Sequence, residues 1–424
     1  MKKRLAMAIV CAAVTAAAAT AAWASDFTPA LDTDTEQTIR VLGNYDNFEA
    51  LEAAAQSFQE YYPNVEVEYE KLDDYNSVIT PRLQDDTEAA LFMMNSYLFI
   101  DNDQLADLVT DISTLDISFD EIDQNACKGN YIDGKLYGIP LWYRYYGLVV
   151  NVDLLETEGI EIPTNMGELK AACEKLREAG YTPLQQTAET VTSLFHSQVM
   201  NIVANELSDE EAEALKSGEE GSAACLTPVF DTLIEFMDAG YITQESIAEY
   251  EDSYNAAILR FYEGDVPFLV ATSSIVSGMA KRETLSDAFK ENPFEYRFIY
   301  SPTGEKGAIV YKGNDTGFAL SSNCSYPEIA AEFYRFIYTK DTLTQMSSIK
   351  GQPSTAAEPD DELYKDLDDS AAEAVIHFAD IDDPTDMIQD VYYDAATALT
   401  TGEISTCAEA AAMFEELAAA KAAE

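Results

Sequence analysis

The chain has 424 residues, with 77 acidic against 25 basic side chains and a formal charge of −52. So large an acidic excess argues against nucleic acid and against anionic membrane surfaces as partners. The acids are spread along the whole chain, which describes a solvated, self-repelling surface rather than a dedicated cation site.

Residues 1–24 read as a secretory signal peptide. Lys2, Lys3 and Arg4 open it, an Ala-rich apolar stretch follows, and Ala22-Trp23-Ala24 fits a small-residue cleavage site. Its three basic residues leave with it and no acid does, so the balance of the remainder deepens to −55. Cleavage after Ala24 puts Ser25 at the new terminus, and Cys11 lies early in the apolar stretch, so no lipid anchor is expected. No later stretch is long and apolar enough to span a membrane. The rest of the chain is enough for two ordinary domains. Cys127, Cys173, Cys225, Cys324 and Cys407 stand far apart, without CxxC or metal-ligand spacing, and no pairing is assigned.

In chain order, Thr38 to Leu42 reads as a first strand, and Gly43-Asn44-Tyr45-Asp46-Asn47 as a loop. Phe48, Leu51, Ala55, Phe58 and Tyr62 then recur at helical spacing on one face. Val65 to Tyr69 alternates as a strand does. This strand–helix–strand order predicts a parallel α/β sheet. Ala89 to Met94 is a buried-strand run ending at Asn95-Ser96.

Residues 130–155, NYIDGKLYGIPLWYRYYGLVVNVDLL, organise the middle of the chain. Asp133-Gly134 is a hairpin signal, and Gly138 with Pro140 marks a change of direction. If 141–146 is extended, Trp142, Arg144 and Tyr146 share one face and Tyr143 with Tyr145 the other. Arg144 needs a partner wherever it is buried. Further on, Glu168 to Ala179 forms a helix stopped by Gly180. Ser208 with Glu211, and Thr406 with Glu409, are placed as capping pairs. Val266 to Val270 is a buried strand with Ala271-Thr272-Ser273-Ser274 at its carboxyl end, where open α/β sheets place ligands. Phe294 to Tyr300 reads as another strand, and Pro327 opens a helix with Ile329, Phe333, Phe336 and Ile337 inward. The only histidines, His196 and His377, have no metal-ligand company in the sequence, and there is no G-x-S-x-G elbow or P-loop.

DGKLYGIP, Asn151, Asp153 and PTNMGELKAACEKLREAGYTPL resemble the signature of family 1 extracellular solute-binding proteins, the maltose-binding-protein-like receptors of ABC importers. YPNVEVEY resembles that family's opening and Lys350-Gly351-Gln352-Pro353 its loop facing the cleft. The resemblance implies an α/β fold of two lobes, each a mostly parallel sheet flanked by helices, joined by three crossings. These are placed near 145, 296 and 340, with 25–145 plus 297–340 as the first lobe and 146–296 plus 341–424 as the second. It implies an exported receptor, monomeric and not an enzyme, that closes on a small solute and delivers it to an ABC permease, with no cofactor and no metal. The expected ligand is an oligosaccharide, met by Asn44, Tyr45, Asp46, Asn95, Trp142, Tyr143, Arg144, Ser273, Ser274 and Gln352. Trp142 is expected to stack on it, and Arg144 either binds ligand or pairs with an internal acid. Two alternatives stand beside this: a polyamine or other organic cation, for which Asp46 is the acid to watch, and a secreted glycoside hydrolase using two carboxylates.

Overall fold

A computed structural model of the chain describes residues 27–94, 103–128, 130–132, 134–185, 193–248, 254–276, 278–357, 364, 367, 371–377 and 385–423. The expected signal peptide and Asn95 lie outside these residues.

Strand β1 (Gln37–Gly43) pairs parallel with β2 (Val65–Lys71) and with β3 (Ala89–Met94). All six residues of β3 are buried, as its unbroken apolar run requires of a central strand. Strands β4 (Tyr131–Ile132) and β5 (Lys135–Leu136) form the hairpin signalled by Asp133-Gly134, with Gly134 at φ 78°. The chain then enters β6 (Ile139–Pro140).

Strand β7 (Tyr143–Asn151) begins a second sheet. It is joined by β8 (Leu184–Gln185), β9 (Phe268–Thr272), β10 (Tyr296–Tyr300), β11 (Ala308–Asn314) and, after β12 (Gly317–Leu320) has returned to the first sheet, by β13 (Ala372–His377). The orders are β2-β1-β3-β12-β6 and β13-β11-β7-β9-β8, with β10 also on β7. In each sheet one strand runs against the rest: β12 in the first and β7 in the second. The two-lobed α/β architecture expected from the sequence is therefore present, with mixed rather than mostly parallel sheets.

The division of the chain differs from expectation. Strands β10 and β11 hydrogen-bond to β7 in the second lobe, whereas 297–340 was assigned to the first. The helix Lys340–Lys350 packs on the helix Glu49–Phe58, and its Leu343 and Met346 belong to the first core, not the second. A short apolar strand is compatible with either sheet, and only its ladder partners decide. The first core thus gathers Phe27 to Trp142 with Phe318 to Ala356, and the second Tyr146 to Tyr311 with Ile376 to Ala418.

The first two crossings lie side by side at 142–143 and 315–316, and the segment 353–355, which leads back into the first core at Ala356, lies against the first of them. Leu141 N–H donates to Thr316 O (2.8 Å) and Asp315 N–H to Trp142 O (3.1 Å). On the other flank Tyr143 N–H donates to Pro353 O (2.8 Å) and Thr355 N–H to Leu141 O (3.3 Å). Two tyrosines of the helix Pro327–Ile337 and its C-cap anchor this strip. Tyr334 Oη accepts from Ile139 N–H (3.1 Å), and Tyr338 Oη accepts from Phe318 N–H (3.0 Å) and donates to Ile139 O.

Candidate functional site

The strip of crossings brings together side chains that lie far apart in sequence. After β1 the chain needs Gly43, because a Cβ there would lie 2.4 Å from the Tyr69 hydroxyl and the Met93 sulfur. Tyr69 Oη fills that space, accepting from Tyr45 N–H (2.8 Å) and donating to Tyr45 O (3.1 Å). Held this way, Tyr45 donates its own hydroxyl to Thr316 Oγ1 in the second crossing (3.2 Å). Lys350 Nζ stands 4.2 Å from the centre of the Tyr45 ring. Lys350 is the last residue of its helix, and Gly351, at φ 69°, turns the chain there into the segment 353–355.

Arg144, on β7, reaches Asp315 Oδ1 through Nη2 (3.2 Å), with side chains 30% and 14% exposed. The pair is felt on both sides. Burial and then the Asp315 charge push the Tyr45 phenol pKa up, opposed by Thr316 and Arg144. In the second lobe burial and then Arg144 depress His196 to about 3, opposed by Gln389. His196 is fully buried among Tyr146, Tyr311 and Tyr393, with ring centroids 4.4, 4.9 and 5.4 Å away. It stays neutral at physiological pH and serves packing, as its lack of sequence company indicated. Burial also lowers the Lys350 pKa, with Asp315 and Glu49 opposing. Tyr45, Arg144, Asp315, Thr316 and Lys350 therefore form a polar and aromatic group at the crossings.

A model of the bacterial extracellular solute-binding protein family matches residues 43–343, well over half of the chain. The chain belongs to that family. Solved solute-binding proteins share its fold across nearly their full length. The GacH receptor of Streptomyces glaucescens, determined unliganded and with acarbose, superposes with a TM-score of 0.69 at 16% identity, covering 90% of this chain and 97% of that one. A family 1 extracellular solute-binding protein from Bifidobacterium longum subsp. infantis gives 0.68 at 19% identity, covering 91% and 99%. The mannobiose complex of BlMnBP1 from Bifidobacterium animalis subsp. lactis gives 0.62 at 15%, covering 92% and 95%. A Brucella abortus binding protein is 25% identical over 226 residues, 52% of this chain and 51% of that one, so the chain spans about half the length of the curated relatives it matches.

Within this solute-binding protein the expected site residues divide. Tyr45 and Arg144 join the group at the crossings, and for Arg144 the internal ion pair is present. Trp142 does not line a cleft here. It has 0% exposure and packs in the first core, edge-on to Phe48 at 6.1 Å. Tyr143 is buried too, donating to Asp123 Oδ2 (2.7 Å) and stacking with Tyr145 (6.1 Å). Ser273 Oγ, fully buried, accepts from Tyr145 N–H (3.1 Å) and so fastens the end of β9 to β7. Ser274 is half-buried with its Oγ 2.5 Å from Thr272 Oγ1. Gln352 is buried beside the segment 353–355, its Oε1 without a partner among the described residues. Asn44 is exposed. Asp46, with a side chain 91% exposed, pairs with Lys71 (2.7 Å) and lines a separate groove of about 300 Å³ between Glu49–Phe58 and β2. Asp315 and Thr316 were not singled out from the sequence, and Lys350 was named only as the start of the loop Lys350-Gly351-Gln352-Pro353.

Among the described residues Cys127, Cys173, Cys225, Cys324 and Cys407 are free thiols, so none of the disulfides left open by the sequence forms between them.

Proposed function

We propose that this solute-binding protein captures an oligosaccharide outside the membrane, closes its lobes around it and presents the closed form to an ABC permease, acting as a monomer. The observation that carries the reading is the group at the crossings. Tyr45 supplies an apolar face with a polar edge, and Thr316, Arg144, Asp315 and Lys350 supply donors and acceptors suited to ring hydroxyls. Relatives of the same fold support it, having been determined with acarbose, mannobiose and raffinose. Ligand that touches both lobes favours the closed state by its differential affinity, which is all that closure needs.

The organic-cation alternative is less well supported, since Asp46 is exposed and already paired with Lys71 while two cations stand at the crossings. A hydrolase is disfavoured by membership of a binding family and by Asp315, the carboxylate of the group, being engaged by Arg144. Titration calorimetry of the mature protein with neutral di- to tetrasaccharides and with spermidine and putrescine tests the reading. Saturable binding of a saccharide is expected. Saturable binding of the polyamines alone, or release of reducing ends from the saccharides, would overturn it.

A further inference from the structure

Strand β1 ends at Gly43, and residues 44–47 leave the sheet. Among the described residues these four make no backbone–backbone hydrogen bond. An exposed loop leaves such groups to water, but Tyr45 is half-buried, and its N–H and its O are both met by one atom. Tyr69 Oη accepts from the first at 2.8 Å and donates to the second at 3.1 Å. Among the described residues no other side chain hydrogen-bonds the backbone of 44–47. Lys71 reaches this loop only through the side chain of Asp46, which is exposed.

The sequence builds this brace from both strands. Val65, Val67 and Tyr69 fall on one face of β2, and Tyr69 pairs with Val41, two residues before Gly43. The missing Cβ of Gly43 leaves the space that the hydroxyl takes. Phe48 packs edge-on against both rings, 5.1 Å from Tyr45 and 5.9 Å from Tyr69. Burial raises the Tyr69 phenol pKa, with the bond to the Tyr45 backbone opposing, so the hydroxyl keeps the proton that it donates.

Resting on the proposed sugar-binding function, we propose that Tyr69 is a positioning residue for the site. It acts through Tyr45, whose ring it aims at the crossings before ligand arrives, and its own hydroxyl is spent on the Tyr45 backbone. Without that hydroxyl the Tyr45 N–H and O turn to water, and the loop samples arrangements in which the ring lies elsewhere. Affinity then falls with the fraction of molecules whose ring is in place, because ligand has to select or order them.

The test is titration calorimetry with maltotriose, β-1,4-mannobiose, raffinose and xylotetraose, together with amide hydrogen exchange followed by NMR. The wild type is compared with Tyr69→Phe, which removes only the hydroxyl, and with Tyr326→Phe. The latter removes a comparable hydroxyl from the same lobe, one that accepts from Arg40 N–H (3.3 Å) and donates to Glu88 O away from the crossings. Tyr69→Phe should weaken saccharide binding about three- to tenfold, the worth of one to two net hydrogen bonds. It should speed exchange of the Tyr45 amide about tenfold or more while amides of β1 to β3 keep their protection. Tyr326→Phe should leave affinity within about twofold. Unchanged affinity in Tyr69→Phe with the Tyr45 amide released would overturn the positioning role and leave sugar binding standing. Equal weakening by Tyr326→Phe would overturn it in favour of a general loss of lobe stability. A further several-fold loss when Tyr69→Phe is added to Tyr45→Ala would show that Tyr69 acts elsewhere than through Tyr45, and would overturn it too. No binding of any saccharide by the wild type would overturn both readings.

Discussion

Trp142, Arg144 and Tyr146 follow one another at the alternating positions of an extended segment, yet each meets a different environment. Trp142 enters the first core, Arg144 the strip of crossings, and Tyr146 the second core. The alternation expected from the sequence survives, since Tyr143 and Tyr145 stack on the opposite side. What alternation leaves open is that this segment passes from one lobe to the other, so one face of the strand has three neighbours. Trp142 is the sole tryptophan after residue 24, which makes its placement easy to read. Trp142→Ala should lower unfolding stability by roughly 3–5 kcal/mol, the range for truncating a buried aromatic, as measured by urea denaturation. Emission of the wild type should be blue-shifted and poorly quenched by iodide. A variant of unchanged stability but weakened ligand affinity would return the indole to the cleft wall.

Among the elements, helices were more legible than strand partners. Both capping pairs form reciprocal boxes, Ser208 with Glu211 and Thr406 with Glu409, because a cap is decided within four residues. Strand β10 was recognised as a strand but placed with the wrong sheet, because its partner β7 lies about 150 residues away. The contact that decides it is close: a Cβ on Gly147 would lie 1.9 Å from Ile299 O, so glycine is what lets β10 approach β7. Gly147→Ala should therefore cost roughly 1–3 kcal/mol as an overpacked backbone contact. The damage should be local, with β10 amides losing hydrogen-exchange protection before those of β1 to β3. Uniform loss across both sheets would show that the lobes do not respond separately.

At the scale of the whole molecule, two separately cored lobes are joined where the first two crossings lie within hydrogen-bond reach of one another. Rotation about such a strip moves the lobes while leaving each core intact, which is the condition for hinge closure. Small-angle scattering should show a smaller radius of gyration at saturating saccharide than without it. An unchanged radius, with binding established by calorimetry, would remove the hinge mechanism and leave a rigid receptor.

Local chemistry was enough to identify a strand–helix–strand opening, the Asp133-Gly134 turn, the helix caps and the extended aromatic segment at 141–146. Each depends on residues within a few positions of one another, whose steric and hydrogen-bonding preferences act before any tertiary contact forms. The family signature rests on the same short stretches. Which sheet holds β10 and β11, where the second crossing falls, and that Asp315, Thr316 and Lys350 meet Tyr45 and Arg144 were decided only in the folded molecule. These depend on pairings across some 150 to 300 residues. Their energy comes from burial and ladder hydrogen bonds, which no local pattern specifies.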